Sequence, residues 1–516
     1  MASYALGLDN GGTVTKAALF DLKGNEIAVA SRQTPVLAPR PGYAERDMDD
    51  LWRSNCECIQ EVLQKSNVDP ACIVGLAVTG HGKGLYAWGK DNRPAYKGIV
   101  STDNRAWQYP EKWKKEGTAD RLYPRLCQKL IPSQQAALLA WLKDNLPEVY
   151  KNIRYAFPVK DYIRFRLTGE ARFEATDISG SGLMNVRDAR FDRDLLEALG
   201  IGEAFDMLAP LCYSADLCGK VTKEAAQRTG LLEGTPVAGG MFDIDACAIA
   251  MDITSPEQLC TITGTWSINE FISKTPILGT QIAMNSLYAI PGYYLLEECS
   301  ATSAGNLDWF IENCMGSANS NPEANLGPGA TGKNAGKKPY DEINRMVSEV
   351  DPAACDVYYL PFLYGSNVHP LAKGSFVGLT SYHTTAHMAR AVYEGVVYSA
   401  KTHIDRLLSA RSAPKAIRMA GGAVNSQVWV QMFADVLGIP IETVRGVKEL
   451  GAMGCAMAAT VAAGVYSDYM EAAKAMVRVN APVEPDWDKN RVYKEKYGKY
   501  CAVRDALDSV WDRFAV

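Results

Sequence analysis

YALGLDNGGTVTKAALFDLKGNEIAVAS (residues 4–31) is the stretch that decides the fold. It holds three short runs of alternating apolar and polar residues, 4–9, 15–21 and 26–31. Asn10-Gly11-Gly12-Thr13 separates the first two, and Leu22-Lys23-Gly24-Asn25 the next two, which reads as a β-meander. A glycine-rich turn between strands can aim successive backbone N–H groups at one point and so make an anion nest. Thr13 would add a hydroxyl and Lys16 a positive charge, while Asp9 could hold a hydrated Mg²⁺ beside phosphates. The same residues also fit a plain hairpin, because Asn-Gly is favoured turn chemistry. A dinucleotide fingerprint does not fit: Gly-x-Gly-x-x-Gly is absent, and a strand rather than a helix follows the turn.

Outward from this meander, residues 47–66 carry Leu51, Trp52, Ile59, Val62 and Leu63 near one helical face, with Asp47 as a plausible N-cap. IVGLAVTG (73–80) reads as a buried strand. A second α/β region follows residue 253, where LCTITGTWSINEFIS (259–273) again suggests two strands around a tight glycine turn. AIRMAGGAV (416–424) runs as a strand into glycines, followed by a helix through Val428 and Leu437 and the strand IPIETV (439–444). The expected domains are therefore 1–252 and 253–516, hinged at 251–259. Their likeness is one of pattern, without a sequence repeat. Residues 316–340, low in apolar groups and rich in Gly, Asn and Lys, read as an exposed loop.

At 516 residues the chain exceeds one ordinary core, and length over roughly 150 suggests about three units, a prior that two large lobes can absorb. With 47% apolar and 22% charged residues, it excludes disorder and collagen-like chains. A net charge of −5 gives no basic field for a nucleic-acid backbone, so no such partner is expected. Thirteen scattered cysteines without a Cys-x-x-Cys read as reduced thiols. The N-terminus meets Asp9 too early for a signal peptide, and the tract at 453–466 is too short to span a bilayer. A cytoplasmic protein with no membrane partner is expected.

Two further glycine turns, TGTWS (263–267) and AGGAVNS (420–426), sit at strand ends and favour nucleotide binding. VAGGMFDIDACAIAM (237–251) ends an apolar strand at Gly239-Gly240 and places Asp243 before a small-residue helix. Asp243 is either a helix cap or a base that accepts a hydroxyl proton during phosphoryl transfer. His81 and Lys83 in TGHGKGLY (79–86) could hydrogen-bond a polyhydroxylated substrate; Asp103 and Arg105 in VSTDNRA (100–106) are weak alone. GPGATGKN (327–334) mimics a P-loop but has Asn334 in place of Ser or Thr. His383 and His387 lack the Glu of a zinc-protease helix.

GSFVGLTSYHTTAHMARAVYEG (374–395) resembles the C-terminal signature of the FGGY carbohydrate kinases, including Gly374, Gly378, His387, Ala391 and Glu394. VKDYIRFRLTGE (159–170) and ATDISGSGLMNVRDARFDRDLLEALGI (175–201) are similar to the family's segment leading to its catalytic site, and MAGGAVNSQVWVQMFADVLGIPI (419–441) to its adenosine segment. The N-terminal signature around 131–145 fits at Trp141, Leu142 and Asn145 but has Leu138 where a lysine is usual. The phrases GLDNGGT, GHGKGLY, PGYAERDM and GGMFD most resemble the L-xylulose kinase branch.

The resemblance implies an α/β chain of two actin-like, ribonuclease-H-like domains with a nucleotide and sugar cleft between them. It implies ATP and Mg²⁺ as cofactors, a small sugar such as L-xylulose as substrate, and a homodimer as the family expectation. Carried over by residue, Asp243 matches the general base and Asp9 the Mg²⁺-associated carboxylate. Gly11, Gly12, Thr13 and Lys16 match the first phosphate loop, Gly264 and Thr265 the second, and Gly421, Gly422 and Asn425 the adenosine segment. His81, Lys83 and Asp103 fall on sugar-side segments. Asp243 is expected to be ionised at pH 7, as an ordinary Asp of pKa about 3.9 would be. Other polyols or keto sugar acids (D-xylulose, glycerol, 3-keto-L-gulonate) and a non-catalytic actin-like ATP-binding protein are the alternatives.

Overall fold

In the computed structural model, residues 3–514 are described except Thr265, Thr280, Gln281, Ala283, residues 316–338, Asn367 and Val368. The meander forms as its alternation predicts: β1 (Tyr4–Asn10), β2 (Val14–Asp21) and β3 (Glu26–Gln33) pair antiparallel. Asp47 caps the Met48–Ser66 helix by accepting from the amides of Asp49 and Asp50. Leu51, Trp52, Ile59 and Val62 of that helix are buried with Leu8, Ala17 and Leu19 in one apolar core. The chain then returns as β4 (Ile73–Gly80), parallel to β1. Pro236–Ala238 adds beyond β4, so the strands run β3-β2-β1-β4 and then Pro236–Ala238.

The second sheet repeats this plan. Leu259–Thr263 and Ser267–Ser273 pair antiparallel, Tyr294–Ser300 lies beyond them, and Ile417–Ala420 and Ile441–Thr443 add parallel strands on the other side. Both sheets thus show the order 3-2-1-4-5 of a ribonuclease-H-like unit, with no matching sequence to announce it.

The chain divides into two compact units. One comprises Met1–Pro256, Phe271–Glu297 and Val444–Arg478; the other comprises Glu257–Glu270, Glu298–Thr443 and Val479–Val516. The tract at 453–466 enters the first unit as the buried Leu450–Ala462 helix, packed on β1 and β4. Its small residues have a physical reason. A Cβ on Gly7 would come within 1.8 Å of the Ala452 carbonyl oxygen, and one on Gly454 within 2.1 Å of that of Ala246. Among the described residues, no helix is long and apolar enough to cross a membrane.

Within the second unit the signature segment is structural. Gly378 has φ +94°, and a Cβ there would sit 2.8 Å from the Asp356 carbonyl oxygen. Glu394 is buried and pairs with Arg390 at 2.7 Å and Lys496 at 2.5 Å. His387 completes a capping box with Thr384 on the Thr385–Leu408 helix. His383 lies between Thr380 and Asp356, 2.6 Å from the Asp356 carboxylate.

Candidate active site

Parallel strands of α/β sheets present ligand sites at their carboxyl ends, and two acidic residues of the first unit, Asp9 and Asp243, lie there. Asp9 is opposite Thr79 in the β1–β4 register. The two-residue strand Met241–Phe242 pairs with Thr79 and Gly80, and Asp243 follows it as the first residue of the Asp243–Ala250 helix. Asp243 is therefore not the helix cap; that position is Phe242, and no side chain caps there.

Burial, and then the charge of Asp9, push the Asp243 carboxyl up to about 8, against the opposing pull of Lys83. Burial likewise pushes Asp9 up to about 6; Lys16 opposes the rise and Glu449 adds to it. Asp243 is thus mostly protonated at pH 7 in the free protein, unlike the ordinary Asp expected from sequence. Two partly buried carboxyls at neighbouring strand ends do not ionise independently.

The Gly11–Gly12 turn is a tight hairpin end, with the Gly11 amide donating to the Val14 carbonyl at 3.0 Å. Asn10 ties the turn to the first helix, since its Oδ1 accepts from Thr15 Oγ1 at 3.1 Å and Asn55 Nδ2 at 2.7 Å. Gly12 and Thr13 are exposed. Lys16 makes an ion pair of 2.7 Å with Glu449, just before the Leu450–Ala462 helix.

The sugar-side candidates fare differently. His81 is buried, with Nε2 3.0 Å from Tyr86 Oη and Nδ1 3.3 Å from the Gly82 carbonyl oxygen. Burial pulls its pKa down to about 3, so the ring is neutral. Lys83, at φ +62°, lies 5.4 Å from the Phe242 ring centroid, and no carboxylate of the described residues forms an ion pair with it. The Asp103 carboxylate is fully buried and engaged by the Ala44 amide, the Arg105 amide and the Arg105 guanidinium, which also reaches Glu45 at 2.8 Å.

Sequence reasoning missed the scaffold that sets Asp243. Lys160, Asp161, Arg164 and Glu174 form a fully buried ion cluster with links of 2.7–3.1 Å. From it, Arg164 donates to the Gly239 carbonyl at 2.6 Å, while Thr176 Oγ1 accepts the Phe242 amide at 2.8 Å. The Ser214 and Asp216 carbonyls accept the amides of Gly240 and Gly239. The residues leading into Asp243 are thus tied to Arg164, Thr176 and the backbone of Ser214 and Asp216. The one available signal was the family-like phrases at 159–170 and 175–201, whose charges no periodicity marks as buried.

In the second unit, the two other glycine turns follow adjacent parallel strands, with Ile262 opposite Ala420. Gly421 has φ +94°, and a Cβ there would lie 2.5 Å from the Thr263 carbonyl oxygen. The Gly264 amide donates to the Trp266 carbonyl, and Asn425 Nδ2 to the Gly422 carbonyl at 3.1 Å. A Cβ on Gly422 would meet nothing within 4 Å. Close backbone approach at one glycine beside open space at the next suits a ligand laid on the turn. Thr265 and the decoy at 327–334 lie outside the described residues.

Two ribonuclease-H-like sheets, an acid-bearing glycine turn and a second acid at the adjoining strand end define a chain of the actin-like fold class. The comparisons narrow this. The FGGY family of carbohydrate kinases matches through its N-terminal domain at residues 4–250 and its C-terminal domain at 259–463. The chain belongs to the FGGY family of carbohydrate kinases and is a sugar kinase; members of this family use ATP. It is 36% identical over 501 residues to the L-xylulose/3-keto-L-gulonate kinase of Escherichia coli (strain K12), covering 97% of this chain and 96% of that protein. It is 34% identical to a probable L-xylulose kinase of Haemophilus influenzae, covering 98% and 99%. The crystal structure of xylulose kinase from Rhodospirillum rubrum superposes with a TM-score of 0.85 at 26% identity, covering 99% of this chain and 100% of that one.

Proposed function

We propose that the chain transfers the γ-phosphoryl group of ATP to a hydroxyl of L-xylulose, with Asp243 as general base. The observation that carries this reading is the placement of Asp243 beside Asp9 at adjoining strand ends, held by the buried Arg164 and Thr176 contacts. The names of the relatives in E. coli and H. influenzae support the choice of sugar.

In this mechanism Asp243 accepts the proton of the sugar hydroxyl as its oxygen bonds to the γ-phosphorus. The bond from that phosphorus to the β,γ-bridging oxygen breaks, and ADP leaves. The transition state is loose, so proton removal is needed only late and a carboxylate suffices as base. The turn amides at Gly11, Gly12 and Thr13, together with Lys16, offset charge on the phosphoryl oxygens. Gly264 and Thr265 take the remaining phosphates, and Gly421, Gly422 and Asn425 the adenosine. Lys83 faces the sugar, His81 backs that wall through its contacts with Tyr86 and Gly82, and Asp103 acts through Arg105 to fix it.

Asp9 fits a metal role, because its carboxylate accepts no hydrogen bond from the described residues while burial holds it beside the phosphate turn. A hydrated Mg²⁺ there would neutralise phosphate charge during transfer. We also infer cytoplasmic residence; a homodimer remains the family expectation.

The test is ADP release from Mg·ATP across ketopentoses, polyols and keto sugar acids. Turnover on L-xylulose that is lost in Asp243→Asn supports the proposal. Turnover on another sugar replaces the substrate, and the absence of any sugar-dependent turnover overturns the reading.

A further inference from the structure

Arg46 is 1% exposed, yet it forms no ion pair with any described residue. Its sequence neighbours are acidic but committed elsewhere: Glu45 holds Arg105, and Asp47 caps the Met48–Ser66 helix. A buried cation without a counter-anion is costly, so what the guanidinium touches matters. One amino group donates to the Gly11 carbonyl at 3.4 Å and the other to the Gly12 carbonyl, while Nε has no partner.

Those two carbonyls belong to the turn assigned above to the transferred phosphoryl group. In a trans peptide unit the C=O and the following N–H point in opposite directions. The Gly11 carbonyl shares its unit with the Gly12 amide, and the Gly12 carbonyl shares its unit with the Thr13 amide. Drawing both oxygens onto one guanidinium therefore turns both N–H groups the other way. Gly12 and Thr13 are exposed, and neither amide is hydrogen-bonded to any described residue. A cation at the oxygen end of a peptide unit also polarises it, strengthening the N–H as a donor. An anion received by these amides would in turn supply the missing counter-charge through two aligned peptide dipoles. The planar fork of arginine spans two successive carbonyls, which a single ammonium does not do as well.

We propose that Arg46 is the positioning residue of the phosphate turn, fixing the Gly11 and Gly12 carbonyls inward so that the Gly12 and Thr13 amides face the phosphoryl group. The proposal rests on the assignment of this turn made under Proposed function. Arg46→Gln is expected to lower kcat on the order of 100-fold while the KM for the sugar stays within about threefold. Arg46→Lys should recover only part of the rate. A wild-type kcat in Arg46→Gln, or equal damage to kcat and sugar KM with a large fall in Tm, overturns it. If Arg46→Gln does not fold, a full rate in Arg46→Lys overturns it and a reduced rate at unchanged sugar KM supports it.

Hydrogen exchange of the wild-type protein separates this proposal from the reading beneath it. Mg·β,γ-imido-ATP should slow exchange in the segment containing Gly12 and Thr13. No protection there removes the phosphate assignment and the role of Arg46 together. Protection with an unaltered kcat in Arg46→Gln removes only the role of Arg46.

Discussion

Asp9 and Asp243 flank the same strand end: Asp9 pairs in register with Thr79, and Asp243 follows Phe242, which pairs with Gly80. Each is partly buried and desolvated, and the charge of Asp9 further disfavours ionisation of Asp243. The proposed base is thus tuned by a neighbour that is remote in sequence and adjacent only through strand pairing.

The first consequence is a pH profile. With Asp243 pushed up to about 8 and the base needed ionised, kcat/KM for the sugar should rise with pH and level off near that value. A profile already flat at pH 5 would mean an ordinary carboxylate or a different base.

Replacing the base should separate activity from stability. Asp243→Asn is expected to lower kcat by roughly 10³-fold while Mg·ATP binding, measured by calorimetry, persists. The folded pKa of Asp243 lies above its unfolded value, so its protonated form favours the fold, and that advantage is lost as pH rises towards about 8. Asparagine cannot ionise, so the Tm of the variant relative to wild type should grow with pH and then plateau near pH 8 to 9. An unchanged difference between pH 5 and pH 9 would contradict the burial argument.

Gly421 and Gly422 should respond differently to the same methyl group. Gly421→Ala drives a Cβ to 2.5 Å from the Thr263 carbonyl oxygen at φ +94°, so both turns must shift. A lower Tm and a KM for ATP raised about tenfold or more are expected. Gly422→Ala meets no atom within 4 Å and should leave Tm unchanged, as thermal denaturation would show.

The Lys16–Glu449 pair sets up a competition. Lys16 is 36% exposed, so the pair contributes no more than ~1 kcal/mol to stability. Glu449→Gln should therefore barely move Tm, yet it frees the ammonium and should tighten Mg·ATP binding a few-fold. Weaker binding would show that Glu449 orients Lys16 rather than competing for it.

Much of the fold is legible because its signals are local. The alternation at 4–31, Asp47 before a helical stripe, and the glycine turns at 263–267 and 420–426 each specify a short element from its own residues, and each forms where it is read. The site is legible less evenly. Asp9 and Asp243 sit at strand ends as their motifs predict, whereas the reach of Arg105 to Glu45 and the partnering of Lys16 with Glu449 have no local mark.

Local residues alone specify the two repeated strand patterns and the glycine turns, because periodicity and turn chemistry act over a few residues, and the signature-like segments carry the family resemblance. The environment of the acids comes from the folded chain, since desolvation and charge coupling depend on what packs around a group. Folding also brought the Leu450–Ala462 helix, over four hundred residues along the chain, onto β1, and turned the Arg46 guanidinium onto the carbonyls of Gly11 and Gly12. Neither placement follows from residues near it in sequence, because both are fixed by the complementary surfaces that the rest of the unit provides.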